Sequence, residues 1–221
     1  MFNMCGAYNV INNPFTHSIT DALAVPAVES RGIRTPASMI QIVTEDKHGR
    51  YLEEAKWWLL LDADGKPNYR YATFNSRHDK LYSSPLTKTL FKTSRCLVPA
   101  SSFIEGQDKQ YHEITTEHGA LLLAGIYKQY QIAGETLTTT SIITCPGNNK
   151  LENIHRQSIP LMIDINDTNL VDSWLDPSMT DSEAFRPLLS ERIPFNLMAT
   201  PIQGARDLTP RNEPIEIAAD E

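Results

Sequence analysis

Long apolar runs are missing from this chain, and with them any candidate membrane span. The N-terminus has no basic region leading into an apolar stretch, so no secretory leader is expected and the cytoplasm is the default location. Cysteine is scarce: Cys5, Cys96 and Cys145 are widely spaced and odd in number, which fits reduced thiols better than a disulfide framework. No Cys-x-x-Cys or His-x-x-x-His pair occurs, so no metal is expected, and nothing in the sequence calls for a cofactor. Internal repeats and low-complexity linkers are also lacking, and the 14 prolines are scattered. Residues 1–221 therefore read as a single domain. Positive charge is in deficit, with 20 Lys and Arg against 27 Asp and Glu, a net −7. That balance excludes a strong general affinity for duplex DNA, although a local basic groove remains open.

What is present suits a soluble fold with a sizeable core, at 41% hydrophobic and 21% charged residues. Runs rich in β-branched and aromatic residues predict strands at Met39–Val43, Trp57–Leu61, Tyr69–Phe74, Arg95–Val98, Tyr111–Thr115, Leu121–Tyr127 and Thr136–Thr144. Helical signals are fewer. Ser84-Pro85-Leu86 opens a segment with Leu86, Leu90 and Phe91 at helical spacing, and Asn166-Asp167 precedes Leu170, Val171 and Trp174. Thr180 to Glu183 has the form of a capping box, and a further turn is expected at Leu151 and Ile154. Strands in runs with short helices between them predict an α+β domain on a curved, barrel-like, predominantly antiparallel sheet with short peripheral helices.

Five positions stand out chemically. If Cys5 becomes the first residue, its α-amine and thiol form a paired nucleophile for an aldehyde, and Gly6 beside it permits close backbone approach. Glu105 follows Phe103-Ile104 near a strand end, where apolar neighbours would push a carboxyl pKa upward and suit it to proton donation. His155 lies among Asn153, Arg156 and Gln157, a polar setting unlike a core face. Asn75 and Arg77, two apart on a strand, would share a face; an amide can orient a sugar oxygen and a guanidinium can grip a phosphate. Arg70, Arg77, Lys80, Lys88, Lys92 and Arg95 crowd one stretch, read either as a groove or as a solvated face. A buried Cys5, a structural His155 and an exposed strand-end Glu105 are the plainer readings of the same residues.

Taken in order, Cys5-Gly6, Trp57-Trp58-Leu59-Leu60, Asn75-x-Arg77, Arg95-Cys96-Leu97-Val98-Pro99-Ala100, Phe103-x-Glu105, Ala124-Gly125-Ile126-Tyr127 and Ile154-His155 resemble the SOS-response-associated peptidase family, the abasic-site processing proteins. The resemblance runs from Cys5 to about Leu161 and fades through Ala199 to Ile217. It implies a monomer that acts on abasic sites in single-stranded DNA, where an N-terminal cysteine forms a thiazolidine with the ring-opened sugar. It further implies Cys5 as nucleophile, Asn75 as the sugar-orienting amide, Glu105 as the carboxyl assisting imine formation and His155 as the proton-transfer group. Gly6, Arg77 and Arg156 would contact DNA. Weak strand-cleaving lyase activity follows from an imine intermediate.

The sequence departs from the family pattern at several points. Ala7 stands where arginine is usual, Ile104 and Gly106 replace an aromatic pair around Glu105, and the spacing from His155 to Pro160 is one residue longer. Met1-Phe2-Asn3-Met4 precede Cys5, so a free amine requires initiation at Met4 or proteolytic removal of four residues. Two other readings remain open: a cysteine autopeptidase or hydrolase using Cys5, His155 and Glu105, and a noncatalytic module that binds single-stranded DNA.

Overall fold

The computed structural model describes residues 6–117 and 119–220. In chain order its elements are β1 (Ala7–Val10), α1 (Pro14–Ala22), β2 (Gly32–Arg34), β3 (Met39–Asp46), β4 (Gly49–Lys56), β5 (Asn75–Arg77) and α2 (Lys88–Thr93). They continue with β6 (Arg95–Ala100), β7 (Ser102–Gln107), β8 (Gln110–Thr116), β9 (Leu121–Ile132), β10 (Glu135–Pro146), β11 (Ser158–Pro160) and β12 (Met162–Ile163). The last are α3 (Thr168–Leu175), β13 (Leu197–Gly204), β14 (Asp207–Pro210) and β15 (Ile215–Ile217).

One sheet closes on itself. Its order runs β11-β10-β4-β3-β6-β9-β12, and β10 also pairs with β9, so β10, β4, β3, β6 and β9 form a five-stranded ring. Closure of this kind removes the exposed edges an open sheet would leave. The ring explains why the first six residues of β9, Leu121 to Ile126, are all buried rather than alternating. It also explains Gly125, where an added Cβ would lie 2.9 Å from the Ser141 carbonyl and 3.0 Å from Cys96 Sγ. The second sheet runs β14-β13-β8-β7-β1-β2, with β15 on β13, and curls as a half-barrel against the first. Trp57, Trp174, Tyr8, Phe74, Phe91 and Phe103 are the largest fully buried side chains of the core. The fold is thus a curved, barrel-like β architecture with short peripheral helices, as the sequence predicts.

β10 carries hydroxyl side chains into this core and satisfies three consecutive ones, Thr138 to Thr140, while the Thr144 hydroxyl is buried with no partner among the described residues. Thr138 donates to Glu53 Oε2 at 3.0 Å, Thr139 to the Leu59 and Lys128 carbonyls, and Thr140 to the Ile126 carbonyl. The long polar run from Thr136 to Thr144 therefore still forms a central strand.

Two expected strands are corrected. Trp57–Leu61 and Tyr69–Phe74 are irregular segments laced to each other: Leu59 N donates to the Thr73 carbonyl, Leu60 N to Thr73 Oγ1 and Asn68 N to the Leu60 carbonyl. Their aromatic content serves burial and side-chain hydrogen bonds, with Trp57 Nε1 donating to the Phe74 carbonyl at 2.8 Å. Helix α1 lies outside the expectations; Asn13 caps it by accepting from Phe15 N and Thr16 N, and Pro14 occupies its first turn. The segment after Ser84 becomes helical at α2, and Asp167 caps α3. At 180–183 the cap is Asp181, which accepts from Glu183 N, while Glu183 pairs forward with Arg186.

Arg95 is removed from the basic stretch altogether. It is 2% exposed, and its guanidinium donates to the carbonyls of Phe91, Lys92, Trp174, Asp176 and Met179. It ties the ends of α2 and α3 to the barrel and cannot reach a ligand. Among the described residues no helix is long and apolar enough to cross a membrane.

Candidate functional site

Strand β7 alternates faces: Phe103 and Glu105 point into the main core, while Ile104 joins a small cluster with Ala7 and Ile202. Glu105 therefore reaches the site as the last inward residue of a strand, and it is only 4% exposed. His155 arrives from the opposite side, on the loop after a short 3-10 helix at Asn149–Leu151, with its own N–H donating to the Leu151 carbonyl. Its Nδ1 lies 3.5 Å from Glu105 Oε2 and 3.4 Å from the Gly106 carbonyl. These two residues, 50 positions apart in sequence, are adjacent in space.

The loop carrying His155 is clamped at several points. Asn148 Nδ2 donates to the Glu191 carbonyl and to Asp220 Oδ2, and Lys150 Nζ pairs with Asp220 Oδ1. Gln107, at the end of β7, donates to the Glu152 carbonyl and accepts from Arg156 N and Nε. An added Cβ at Gly147 would collide with the Arg156 carbonyl, so the loop closes tightly on itself. The loop that carries the imidazole is thereby held beside Glu105, and the ring adds its own hydrogen bond with the Gly106 carbonyl.

Burial lowers the pKa of His155, and its hydrogen bond with Gly106 only partly opposes this. The ring is then neutral at pH 7, so its approach to Glu105 is not a true ion pair at that pH. The Gly106 carbonyl can only accept, which assigns the proton to Nδ1 and leaves Nε2 as a lone-pair base. That Nε2 is buried and has no hydrogen-bond partner among the described residues. A neutral imidazole with a basic nitrogen beside a buried carboxyl is an arrangement that can transfer protons.

Glu105 and His155 open onto a cavity of about 470 Å³, also lined by Gly6, Ala7, Trp58, Tyr69, Tyr111 and Arg206. Cys5 lies outside the described residues; its neighbour Gly6 is on the cavity wall. Asn75 is buried on β5, which runs parallel to β10 with Asn75 opposite Ile142. Arg77, two residues on, is exposed and holds Asp79 with two hydrogen bonds of 3.0 and 3.1 Å. Arg156 is exposed and occupied by Gln107 and, at 3.5 Å, Asp108. The expected DNA-contact arginines are thus at the surface, each already paired.

The cavity also holds residues to which the motifs gave no chemical role. Trp58 is buried, donates from Nε1 to the Asn68 carbonyl and stacks edge-on with Tyr69 at 5.1 Å, while Tyr69 itself is 71% exposed. Their signal lay in the sequence as aromatics, but as predicted strands their side chains had no assigned destination. Arg206, on the turn between β13 and β14, lay in the part of the chain where motif similarity fades. Among the described residues there is no group of three or more His, Cys, Asp and Glu side chains able to hold a metal ion.

Comparison with known proteins fits this arrangement. The chain is 27% identical over 161 residues to the abasic site processing protein YoqW of Bacillus subtilis, covering 70% of each. It is 26% identical to YobE of the same organism over 70% of this chain and 72% of that protein. Among solved structures, a protein from Bacteroides thetaiotaomicron superposes with a TM-score of 0.71 at 20% identity, over 90% of this chain and 92% of the other. A phage-related protein from Bordetella bronchiseptica gives 0.66 at 17%, over 93% and 100%. A sequence model described as SOS response associated peptidase (SRAP) matches residues 4–205, and the chain belongs to that family.

Proposed function

We propose that this protein recognises abasic sites in single-stranded DNA and traps them as a covalent thiazolidine through Cys5. The observation that carries the reading is the Glu105–His155 pair, buried and facing one cavity whose wall includes Gly6, in a chain related to proteins named for abasic site processing. The ring-opened sugar presents an aldehyde. With Cys5 as the first residue, its amine adds to that carbon, and Glu105 protonates the departing hydroxyl so that one water leaves and an imine forms. The thiolate then adds to the imine carbon, closing the five-membered ring as the nitrogen takes a proton. His155 Nε2 accepts and returns the protons in transit, including the one exchanged with the sugar ring oxygen on opening. Asn75 orients the sugar, and Arg77, Arg156 and the Gly6 backbone hold the strand. The imine also permits β-elimination, the source of a weak lyase activity.

The same groups support a second reading favoured by the name of the family: cleavage of the peptide bond before Cys5, with the thiol as nucleophile and His155 as base. The two are compatible as successive stages. A test uses two defined forms of the chain, one beginning at Cys5 and one at Met1, incubated with a single-stranded oligonucleotide carrying one abasic site. A denaturing gel should show an adduct only for the first. Equal adduct yields from both, with N-termini verified by mass spectrometry afterwards, would refute the thiazolidine.

A further inference from the structure

Gly106 and Tyr111 face each other across the β7–β8 hairpin. A Cβ at position 106 would lie 2.5 Å from Tyr111 Cδ1 and 2.8 Å from the Gln110 carbonyl, so the phenol ring lies across the glycine in space no other residue would leave open. The ring packs with Ala205 and Leu208 against the Ala7, Ile104 and Ile202 cluster, and it lines the cavity together with Glu105 and His155. Next to Ala205 is Arg206, exposed on the two-residue turn between β13 and β14 and on the wall of the same cavity. Arg77 and Arg156 are engaged by Asp79 and Asp108, whereas no carboxylate pairs with Arg206 among the described residues. One side of the cavity therefore offers an aromatic face and an unpaired guanidinium, brought together by the pairing of β8 with β13.

We propose that Tyr111 and Arg206 form a nucleotide subsite beside the reaction centre, the ring stacking on a base next to the missing one and the guanidinium taking its phosphate. A ring and a cation at one edge of a cavity match the two parts of a nucleotide that do not depend on sequence: a base's π face and a phosphodiester. The inference rests on the single-stranded DNA reading above, and it adds residues that neither act on protons nor form the adduct.

The test measures affinity by anisotropy, using full-length protein and two labelled single-stranded oligonucleotides. One carries a single tetrahydrofuran residue, which cannot open to an aldehyde; in the other, both flanking nucleotides also lack bases. Tyr111→Leu should weaken binding of the first roughly 5- to 150-fold, the range stacking on one base supplies, and leave the second nearly unchanged. Tyr111→Phe should restore it. Arg206→Ala should weaken both equally and reduce the log-log salt slope by about 0.7, one phosphate's share on a single strand. Wild-type binding unaffected by either substitution would overturn the subsite and leave the adduct reading standing. Equal loss on both oligonucleotides for Tyr111→Leu, with Tyr111→Phe failing to rescue, would reduce the ring to a structural part and overturn its stacking role. No binding of either oligonucleotide by wild type would overturn the DNA reading and the subsite with it.

Discussion

Replacing His155 with alanine should separate proton transfer from everything else the site does. The ring makes one long hydrogen bond, 3.4 Å to the Gly106 carbonyl, and its loop is held by Asn148, Lys150 and Gln107. Losing that bond costs about 0.5–1.5 kcal/mol of stability. The loop should therefore keep its course without the ring. A positioned acid–base group is typically worth ~10²–10⁴-fold in rate, or about 3–5 kcal/mol of barrier. The kinetic effect should thus exceed the structural one several-fold. The assay is the single-turnover rate of adduct formation at saturating abasic-site oligonucleotide, with affinity measured in parallel on the tetrahydrofuran analogue. Rate should fall by ~10²-fold or more, and affinity should stay within error.

The pH dependence supplies an independent check. Burial lowers the pKa of His155 below its ordinary value, so the ring is neutral and competent above about 6.5 and loses its basic Nε2 as pH falls through the lowered pKa. The Cys5 thiol and amine are common to both proteins, so their titration cancels in the ratio of the two rates. The ratio of wild-type to His155→Ala rate should be flat above neutrality and decline in acid. A ratio independent of pH, or a variant that loses affinity while keeping its rate, would remove His155 from proton transfer.

Three further outcomes follow from the packing. Arg95→Met removes the donor from the Phe91, Lys92 and Trp174 carbonyls, each costing about 1–3 kcal/mol, so urea unfolding should report a loss of at least ~3 kcal/mol that Arg95→Lys does not recover, because one ammonium cannot reproduce the guanidinium fork. His112, buried opposite Glu105, also has its pKa lowered by burial, so the unfolded chain binds more protons than the native one just below its ordinary value; stability should be full above about pH 6.5 and decline in acid, and thermal scans of His112→Phe should show a shallower decline. Asp79→Ala frees Arg77 from an exposed pair worth about 0–1 kcal/mol, so affinity for single strands should rise by up to ~5-fold at low salt, an unchanged affinity placing Arg77 away from the strand.

The barrel was legible because its strands carry apolar runs strong enough to state their own burial, as at Leu121–Tyr127 and Arg95–Val98. Glu105 was legible through its apolar neighbours, and the structure does bury it. Other features were not. Trp57–Leu61 and Tyr69–Phe74 have strand composition, but their backbone groups find partners in each other's loops and side chains, a tertiary solution that local propensity cannot register. Asn13-Pro14 is a capping signal in plain view, yet the helix it opens is only nine residues with few apolar positions, so periodicity gave it little support. Arg95 looked like part of a basic surface because charge in sequence says nothing about which carbonyls converge on it.

The electrostatics of the site follow from the same distinction between charge counted and charge available. A net −7 gives no general attraction to DNA, so on the proposed function affinity rests on a few contacts close to the cavity. On the proposed function Arg77 and Arg156 would each release a carboxylate before gripping a phosphate, which makes their contribution the difference between two similar interactions. Both pairs are exposed, so that difference is small and screened by salt. Ala7 offers the cavity only a methyl group, whereas Arg206 reaches its wall with no such exchange to make. On this proposal binding shifts toward the β13–β14 side, where Arg206 on the cavity wall and the Tyr111 ring lie together, and away from the arginines that motif similarity alone would select.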